Sequence, residues 1–137
     1  MYRPIPLLAL ILAAGLTAGC GDDDNPTAPT PIAPNPIFDT FEGTLTPNGG
    51  VTNTFVVQRA GEVSALIALT PAEAVVGLSL GPMSTQACSA AIARDNATNA
   101  TSILGAASTA GNFCVRVYDA GGTLTGPVAF TITVQHF

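Results

Sequence analysis

The residue types needed for serine hydrolysis are present in this chain. Ser79 lies in the segment 77–81 (GLSLG), which matches the G-x-S-x-G pattern, and His136 is the only histidine. In hydrolases that pattern works on a sharp strand-to-helix turn of a large α/β sheet, with an acid and a histidine behind it. Here leucine and serine alternate as they do in a strand, and no helix follows. We therefore predict that the match is accidental and that the protein is not an enzyme.

Carboxylates offer a second kind of chemistry, but the sequence scatters them. Six acidic residues follow the aspartates of 22–24, roughly one per segment: Asp39, Glu42, Glu62, Glu73, Asp95 and Asp119. An alternative function is calcium-assisted binding of a ligand or protein through Asp39, Glu42 or Asp119. A zinc-type site needs more ligands than two cysteines and one remote histidine provide. We expect no metal and no cofactor.

Composition excludes nucleic acid as a partner. Charged residues make up 9% of the 137 residues, and the net charge is −5. No lysine occurs, and the four basic residues are all arginines. A nucleic-acid-binding protein needs a basic patch to neutralise phosphates. Tyr118 is the only aromatic phenol beyond the N-terminus and there is no tryptophan, so stacking platforms for sugars are missing, whereas hydrogen bonding to a glycan stays open.

The N-terminus has the layout of an export signal. Arg3 precedes the uninterrupted apolar and small run 7–16 (LLALILAAGL), and small residues follow at 17–19. A positive start, a short apolar stretch and a small-residue cleavage region are typical of a signal peptide. A membrane-spanning helix would need about 20 apolar residues, and the aspartates at 22–24 end the run too early.

The end of this signal carries a more specific motif. The order Leu16-Thr17-Ala18-Gly19-Cys20 resembles the lipobox of bacterial lipoproteins. The resemblance implies that Cys20 becomes the first residue of the mature protein and receives a diacylglyceryl group on its thiol and a further acyl chain on its amine. Two or more chains are what stable membrane anchoring requires. The predicted location is therefore the bacterial cell envelope, at the outer membrane or the cell surface.

Export also determines the expected state of the other two cysteines. An exported chain reaches an oxidising compartment, where cysteines pair. With Cys20 acylated, Cys88 and Cys114 are left to form a disulfide. Because Cys114 alternates with Val115 and Val117, its side chain points to the opposite face of the strand. We expect the bridge to join strands of one sheet.

A spacer separates the signal from the rest of the chain. Residues 21–36 contain five prolines and no apolar periodicity, which predicts an extended polyproline-type segment. The sequence thus divides into a signal peptide (1–19), an Asp/Pro-rich tether (20–37) and a folded domain (38–137).

The domain has the pattern of an all-β protein. Short runs of alternating apolar and polar residues are separated by turn residues every 8 to 12 positions, which predicts an antiparallel β-sandwich of about eight strands. The predicted strands are 41–46, 51–58, 62–70, 75–81, 87–94, 102–108, 112–119 and 127–135. The alanine-rich run 87–94 suits an edge strand, and 70–73 (TPAE) could open a single helical turn.

In order and spacing these strands resemble the bacterial pre-peptidase C-terminal domain, a jelly-roll-like β-sandwich. The segments that carry the resemblance are 41–45, 49–50, 54–57, 60–63, 111–118 and 130–134. The resemblance implies an accessory module without catalysis of its own, related to modules that bind collagen with calcium. No peptidase precedes the domain here. Where the family often has an Asp-x-Asp element, this chain has 75–78 (VVGL), so no calcium ligand is carried over.

These features together predict a lipid-anchored, non-enzymatic protein that displays a binding, adhesion or structural module. The expected partners are the membrane, through the anchor, and an extracellular or periplasmic protein or glycan. A small hydrolase using Ser79 and His136 is the remaining alternative.

Overall fold

A computed structural model describes residues 34–137 of the protein. The domain contains nine strands arranged in two antiparallel sheets. The strands are β1 (Ile37–Leu45), β2 (Gly50–Val57), β3 (Gly61–Thr70), β4 (Val76–Ser84), β5 (Ala87–Cys88), β6 (Ile92–Ala97), β7 (Ser102–Ala107), β8 (Gly111–Tyr118) and β9 (Val128–His136). One sheet has the order β1-β9-β3-β7; the other has β2-β8-β4-β5, with β6 also paired to β4. Within residues 34–137 there is no helix of the length and apolarity that a membrane crossing requires.

The strand pairing is that of a long hairpin rolled into a sandwich. β1 pairs with β9, β2 with β8, β3 with β7 and β4 with β6, so the first and last strands meet and the chain closes inward. Successive long strands lie in alternate sheets except at the β4–β6 turn. This is the connectivity of a jelly roll. The predicted all-β, jelly-roll-like sandwich is confirmed.

The core lies between the sheets and is built from alternate residues of each strand. In β9, Phe130, Ile132 and Val134 are buried, whereas the intervening threonines are less so. β9 pairs on both sides, with β1 and with β3, and Ile132 is fully buried. Period-two patterning places one face of each strand in the core. The alternation of apolar and polar residues in 127–135 therefore predicts this strand from the sequence.

Two regions differ in detail from the sequence predictions. The single predicted strand 87–94 is two strands, β5 and β6, interrupted at Ser89–Ala91, and β6 continues to Ala97. The chain runs beside β4 throughout, because Ser89 and Ala91 donate backbone hydrogen bonds to Pro82 and Leu80. The first strand begins at Ile37, earlier than predicted. At 70–74 one turn forms, with Ala74 donating to the Pro71 carbonyl.

The predicted disulfide lies directly beside the interruption of the edge strand. Cys88 and Cys114 are bonded, with their Cα atoms 5.7 Å apart. Cys114 pairs with Gly81 across β8 and β4, and its sulfur lies 3.2 Å from the Gly81 carbonyl oxygen. The bridge therefore sits on the outer face of the five-stranded sheet, and the predicted placement within one sheet is confirmed. Gly81 is required beneath it, because a Cβ there would collide with the Ser89 carbonyl oxygen.

Candidate functional site

One end of the sandwich is organised by a single carboxylate, Asp119. It follows β8 at the start of the loop 119–127. Its Oδ1 accepts the backbone N–H of Thr123 at 2.9 Å, and its Oδ2 accepts that of Asn48 at 2.8 Å. Leu124 donates to the same carboxylate more weakly. These donors, Asn48 first, hold the pKa of the Asp119 carboxyl below its ordinary value. Asp119 thus joins the 119–127 loop to the turn between β1 and β2.

The lowered pKa predicts a contribution of Asp119 that disappears in acid. A carboxyl whose pKa is lower folded than unfolded stabilises the fold above its unfolded pKa, and this is lost as the pH falls through its folded pKa. We expect Asp119→Asn to melt below wild type at pH 7, and the gap to close below about pH 4. Melting curves over this range, with Glu42→Gln as the control for net charge, test this. A gap that stays constant down to pH 2.5 contradicts it.

Beside this loop, an open surface cleft of about 430 Å³ is lined by Asp95, Tyr118, Asp119, Ala120 and Gly121. The Tyr118 hydroxyl donates a hydrogen bond to the Asp95 carboxylate. The guanidinium carbon of Arg116 lies over the Tyr118 ring, 5.4 Å from its centroid. Asp95 and Tyr118 line the cleft, whereas Arg116 lies beside it, with its guanidinium group next to Gly50 of β2. We call Asp95, Arg116 and Tyr118 the cleft triad.

Sheet geometry explains why these three side chains meet. Arg116 and Tyr118 are two residues apart on β8 and share its outer face. Tyr118 pairs with Gly77 of β4, and a Cβ at Gly77 would collide with the Tyr118 ring. The ring can therefore lie across β4 only because position 77 has no side chain. The β4–β6 register shifts between Val76 and Leu78. Asp95, which accepts the hydrogen bond from the Tyr118 hydroxyl, lies next to this shift.

The cleft triad is suited to binding through fixed polar contacts. The hydrogen bond to Asp95 raises the pKa of the Tyr118 hydroxyl, with smaller contributions from burial and from the negative charge of Asp95, while Arg116 lowers it. Tyr118 is therefore a neutral donor at physiological pH. The three side chains together offer an aromatic ring, an acceptor and a charged donor fork in positions fixed by their mutual contacts.

A second cleft, of about 480 Å³, lies on the other side of the 119–127 loop. It is bounded by the 71–75 turn and by residues 123–128, and Pro71, Val75, Leu124 and Pro127 contribute to its lining. Glu73 is the one charged residue there. The cleft at Asp95, Tyr118 and Asp119 is the better candidate site, because two carboxylates and a tyrosine hydroxyl converge in it and each has a fixed hydrogen bond.

The residues considered for serine hydrolysis do not come together. The 77–81 segment lies inside β4. Leu78 and Leu80 belong to the core, so Ser79 faces the outer side of its sheet. His136 lies between the sheets at 1% exposure, with its ring centroid 5.2 Å from that of Phe55. Its Nε2 is 3.0 Å from Asp39 Oδ2. The five-stranded sheet separates the serine from the histidine.

The three carboxylates considered for calcium are also apart. Asp39 bonds His136 near the start of β1, whereas Glu42 is exposed on the opposite face of that strand. Asp119 lies beyond the other end of β1 and bonds backbone N–H groups. Across residues 34–137, no three Asp, Glu, His or Cys side chains form a group that could hold a metal ion.

The remaining predicted site residue, Cys20, lies outside the described residues, as do the signal and most of the tether. The sequence did not single out the cleft triad. Asp95 stood as one scattered carboxylate among six, and Tyr118 was noted only as a lone tyrosine. Asp95 and Tyr118 come together only through the β4–β8 and β4–β6 registers. The one trace of this in the sequence is Gly77, a glycine inside a predicted strand, whose position opposite Tyr118 is given by the β4–β8 register.

No protein-family model matches the sequence, and no curated protein matches it.

Proposed function

We propose that this protein is a non-enzymatic lipoprotein of the bacterial cell envelope that displays a jelly-roll module for binding. The support for the anchor is the order Ala18-Gly19-Cys20 directly after an apolar run, followed by five prolines within 21–36. The resemblance to pre-peptidase C-terminal domains supports an accessory, non-catalytic role. The disulfide between Cys88 and Cys114 is consistent with an oxidising compartment.

The observation that carries the binding proposal is the cleft triad. Arg116 and Asp95 carry opposite charges, and each contacts Tyr118. The oxygens of Asp119, the next charge in the cleft, accept backbone N–H groups of the loops. Such a cleft favours an uncharged ligand rich in hydroxyl groups, since hydroxyls donate hydrogen bonds to the carboxylates that line it. We propose an envelope glycan as the ligand.

The anchor is tested by the intact mass of the native protein from a membrane fraction. We expect a chain that begins at Cys20 and carries a diacylglyceryl group and one further acyl chain. Cys20→Ala is expected to remove the lipid mass and to leave the protein outside the membrane fraction. An unmodified chain that begins at Met1 would overturn the anchor.

Glycan binding is tested by co-sedimentation of the detergent-solubilised protein with purified insoluble cell-wall glycan. Asp95→Asn is expected to weaken binding about tenfold or more, because a hydrogen bond to a charged group contributes about 1.5–3 kcal/mol. Glu62→Gln is the matched control, since Glu62 is also an exposed carboxylate on a strand but lies on β3, in the other sheet. Equal loss in both variants would contradict the cleft as the site. Binding to envelope proteins but not to glycan would assign a protein ligand.

A further inference from the structure

The free edge of the five-stranded sheet at β2 lacks the features that normally prevent edge pairing. β2 (Gly50–Val57) pairs with β8 in an unbroken register and contains no charged residue and no proline. Val56 on its outer face is 58% exposed. By contrast, the edge strand β1 carries Asp39 and Glu42, and β6 carries two charges and a register shift. Native proteins blunt exposed edges with charges, prolines or bulges, so β2 is an open template for another strand.

The hydrogen bonding of β2 to β8 shows which of its backbone groups are free. Asp119 donates to the Gly49 carbonyl at 3.0 Å, just beyond the pair Gly50–Tyr118. Because hydrogen-bonded pairs alternate along an antiparallel ladder, the odd-numbered residues of β2 bond to β8. The N–H and C=O groups of the even-numbered residues, Gly50, Thr52, Thr54 and Val56, point to the open edge.

The stretch of free backbone groups ends before Gln58, the next even-numbered residue. The Gln58 N–H donates to the Phe137 carbonyl at 2.8 Å, so it is already used within the domain. The available stretch is therefore 50–56, whose central residue is Asn53. Asn53 faces the core side of the strand, and its buried Nδ2 has no hydrogen-bond partner within the described chain.

We propose that a second copy of this chain pairs with this edge, antiparallel, with Asn53 of each copy on the two-fold axis. Gly50 then pairs with Val56 of the other copy and Thr52 with Thr54, so every free backbone group from 50 to 56 is used in about eight hydrogen bonds. The alternative register, with Thr54 on the axis, would pair Gly50 with Gln58, whose N–H is engaged by Phe137. The two Asn53 side chains then meet as a non-hydrogen-bonded pair, where side chains approach most closely.

Other occupants of the edge fit less well. The chain's own 21–36 segment holds five prolines, which lack the N–H donors that a ladder needs. A strand from a different protein could use the same backbone groups, but a second copy brings an uncharged stretch of the same length, which pairs with 50–56 about Asn53 and uses every free group of both copies. The two copies form one continuous sheet across the new pair.

The oligomeric state of the detergent-solubilised full chain, measured by sedimentation over a concentration series, tests the interface. We expect a dimer whose dissociation constant rises at least about tenfold in Thr54→Lys, because a charge on an open edge opposes pairing. Leu104→Lys is the matched control. It places the same charge on β7, the other uncharged edge, where Leu104 is 57% exposed, and it is expected to leave the dimer intact. A monomeric wild type, or loss of the dimer in Leu104→Lys alone, would overturn the proposal.

The register is tested by oxidation of single cysteine variants. Asn53→Cys places two cysteines in a non-hydrogen-bonded pair, whose Cα atoms are about 4.5 Å apart, within the range of about 4.4–6.8 Å that a disulfide spans. We expect this variant to run as a covalent dimer on a non-reducing gel. Thr54→Cys, which faces Thr52 of the other copy, is expected to stay monomeric, and the wild-type lane accounts for Cys20. Cross-linking of Thr54→Cys in place of Asn53→Cys would contradict the Asn53 axis.

Discussion

Replacing both bridge cysteines, as Cys88→Ala with Cys114→Ala, is expected to lower the free energy of unfolding by about 3–4 kcal/mol. The two residues are 26 positions apart in sequence, and the bridge removes the corresponding loop-closure entropy from the unfolded chain. The loop it closes contains β6 and β7. For a domain of this size the loss is a large part of the total stability.

Denaturant unfolding of the two proteins at neutral pH measures the loss. Wild type in the presence of reductant is the control for the substitution itself, because it breaks the same bond without changing the sequence. The single variant Cys88→Ala is expected to match the double variant closely, since either change removes the bridge. A double variant that unfolds at the wild-type midpoint would contradict a stabilising disulfide.

Gly81→Ala is expected to be nearly as destabilising, by about 3 kcal/mol, although it adds only one carbon atom. A Cβ at this position would collide with the Ser89 carbonyl oxygen and lie 2.7 Å from the Ala91 amide nitrogen. Both contacts are with backbone atoms of the 89–91 interruption, which is held on one side by β4 and on the other by the disulfide. The backbone cannot give way without breaking hydrogen bonds to β4.

Gly111→Ala is the matched control for Gly81→Ala. Gly111 is also a strand glycine, but a Cβ there would meet nothing within 4 Å. Its substitution is expected to be neutral or to stabilise by a few tenths of a kcal/mol, through the smaller entropy of the unfolded chain. If the two alanine variants unfold at the same denaturant concentration, the close contact between position 81 and the 89–91 backbone is contradicted.

The disulfide and Gly81 are expected to be coupled. Without the bridge, the 89–91 segment loses one of its two attachments and can move away from an added methyl group. Gly81→Ala should therefore destabilise the protein less in the background lacking Cys88 and Cys114 than in wild type. A double-mutant cycle measures this coupling, which for groups in contact is typically about 0.5–3 kcal/mol. Strictly additive losses would indicate that the two features act independently.

The local pattern of the sequence was sufficient for the fold class and for most strand positions. Alternation in 51–58, 62–70 and 127–135 identified strands whose inward faces form the core, because a strand's side chains take opposite faces with period two wherever it lies. The disulfide was also predicted from the sequence, since the predicted export and the predicted acylation of Cys20 left Cys88 and Cys114 as one pair. The lipid anchor at Cys20 remains a prediction of the sequence alone.

The assembly of the candidate site was decided only by tertiary structure. Tyr118 and Asp95 are 23 residues apart, and they meet because β8 and β6 both pair with β4, where Gly77 leaves room for the ring. The same registers placed Ser79 and His136 on opposite sides of a sheet and interrupted the edge strand at 89–91. A periodic pattern determines which face of a strand each side chain lies on. Which strands become neighbours, and in what register, depends on long-range pairing. The local sequence therefore determined the strands, whereas the packing of the sheets determined the site.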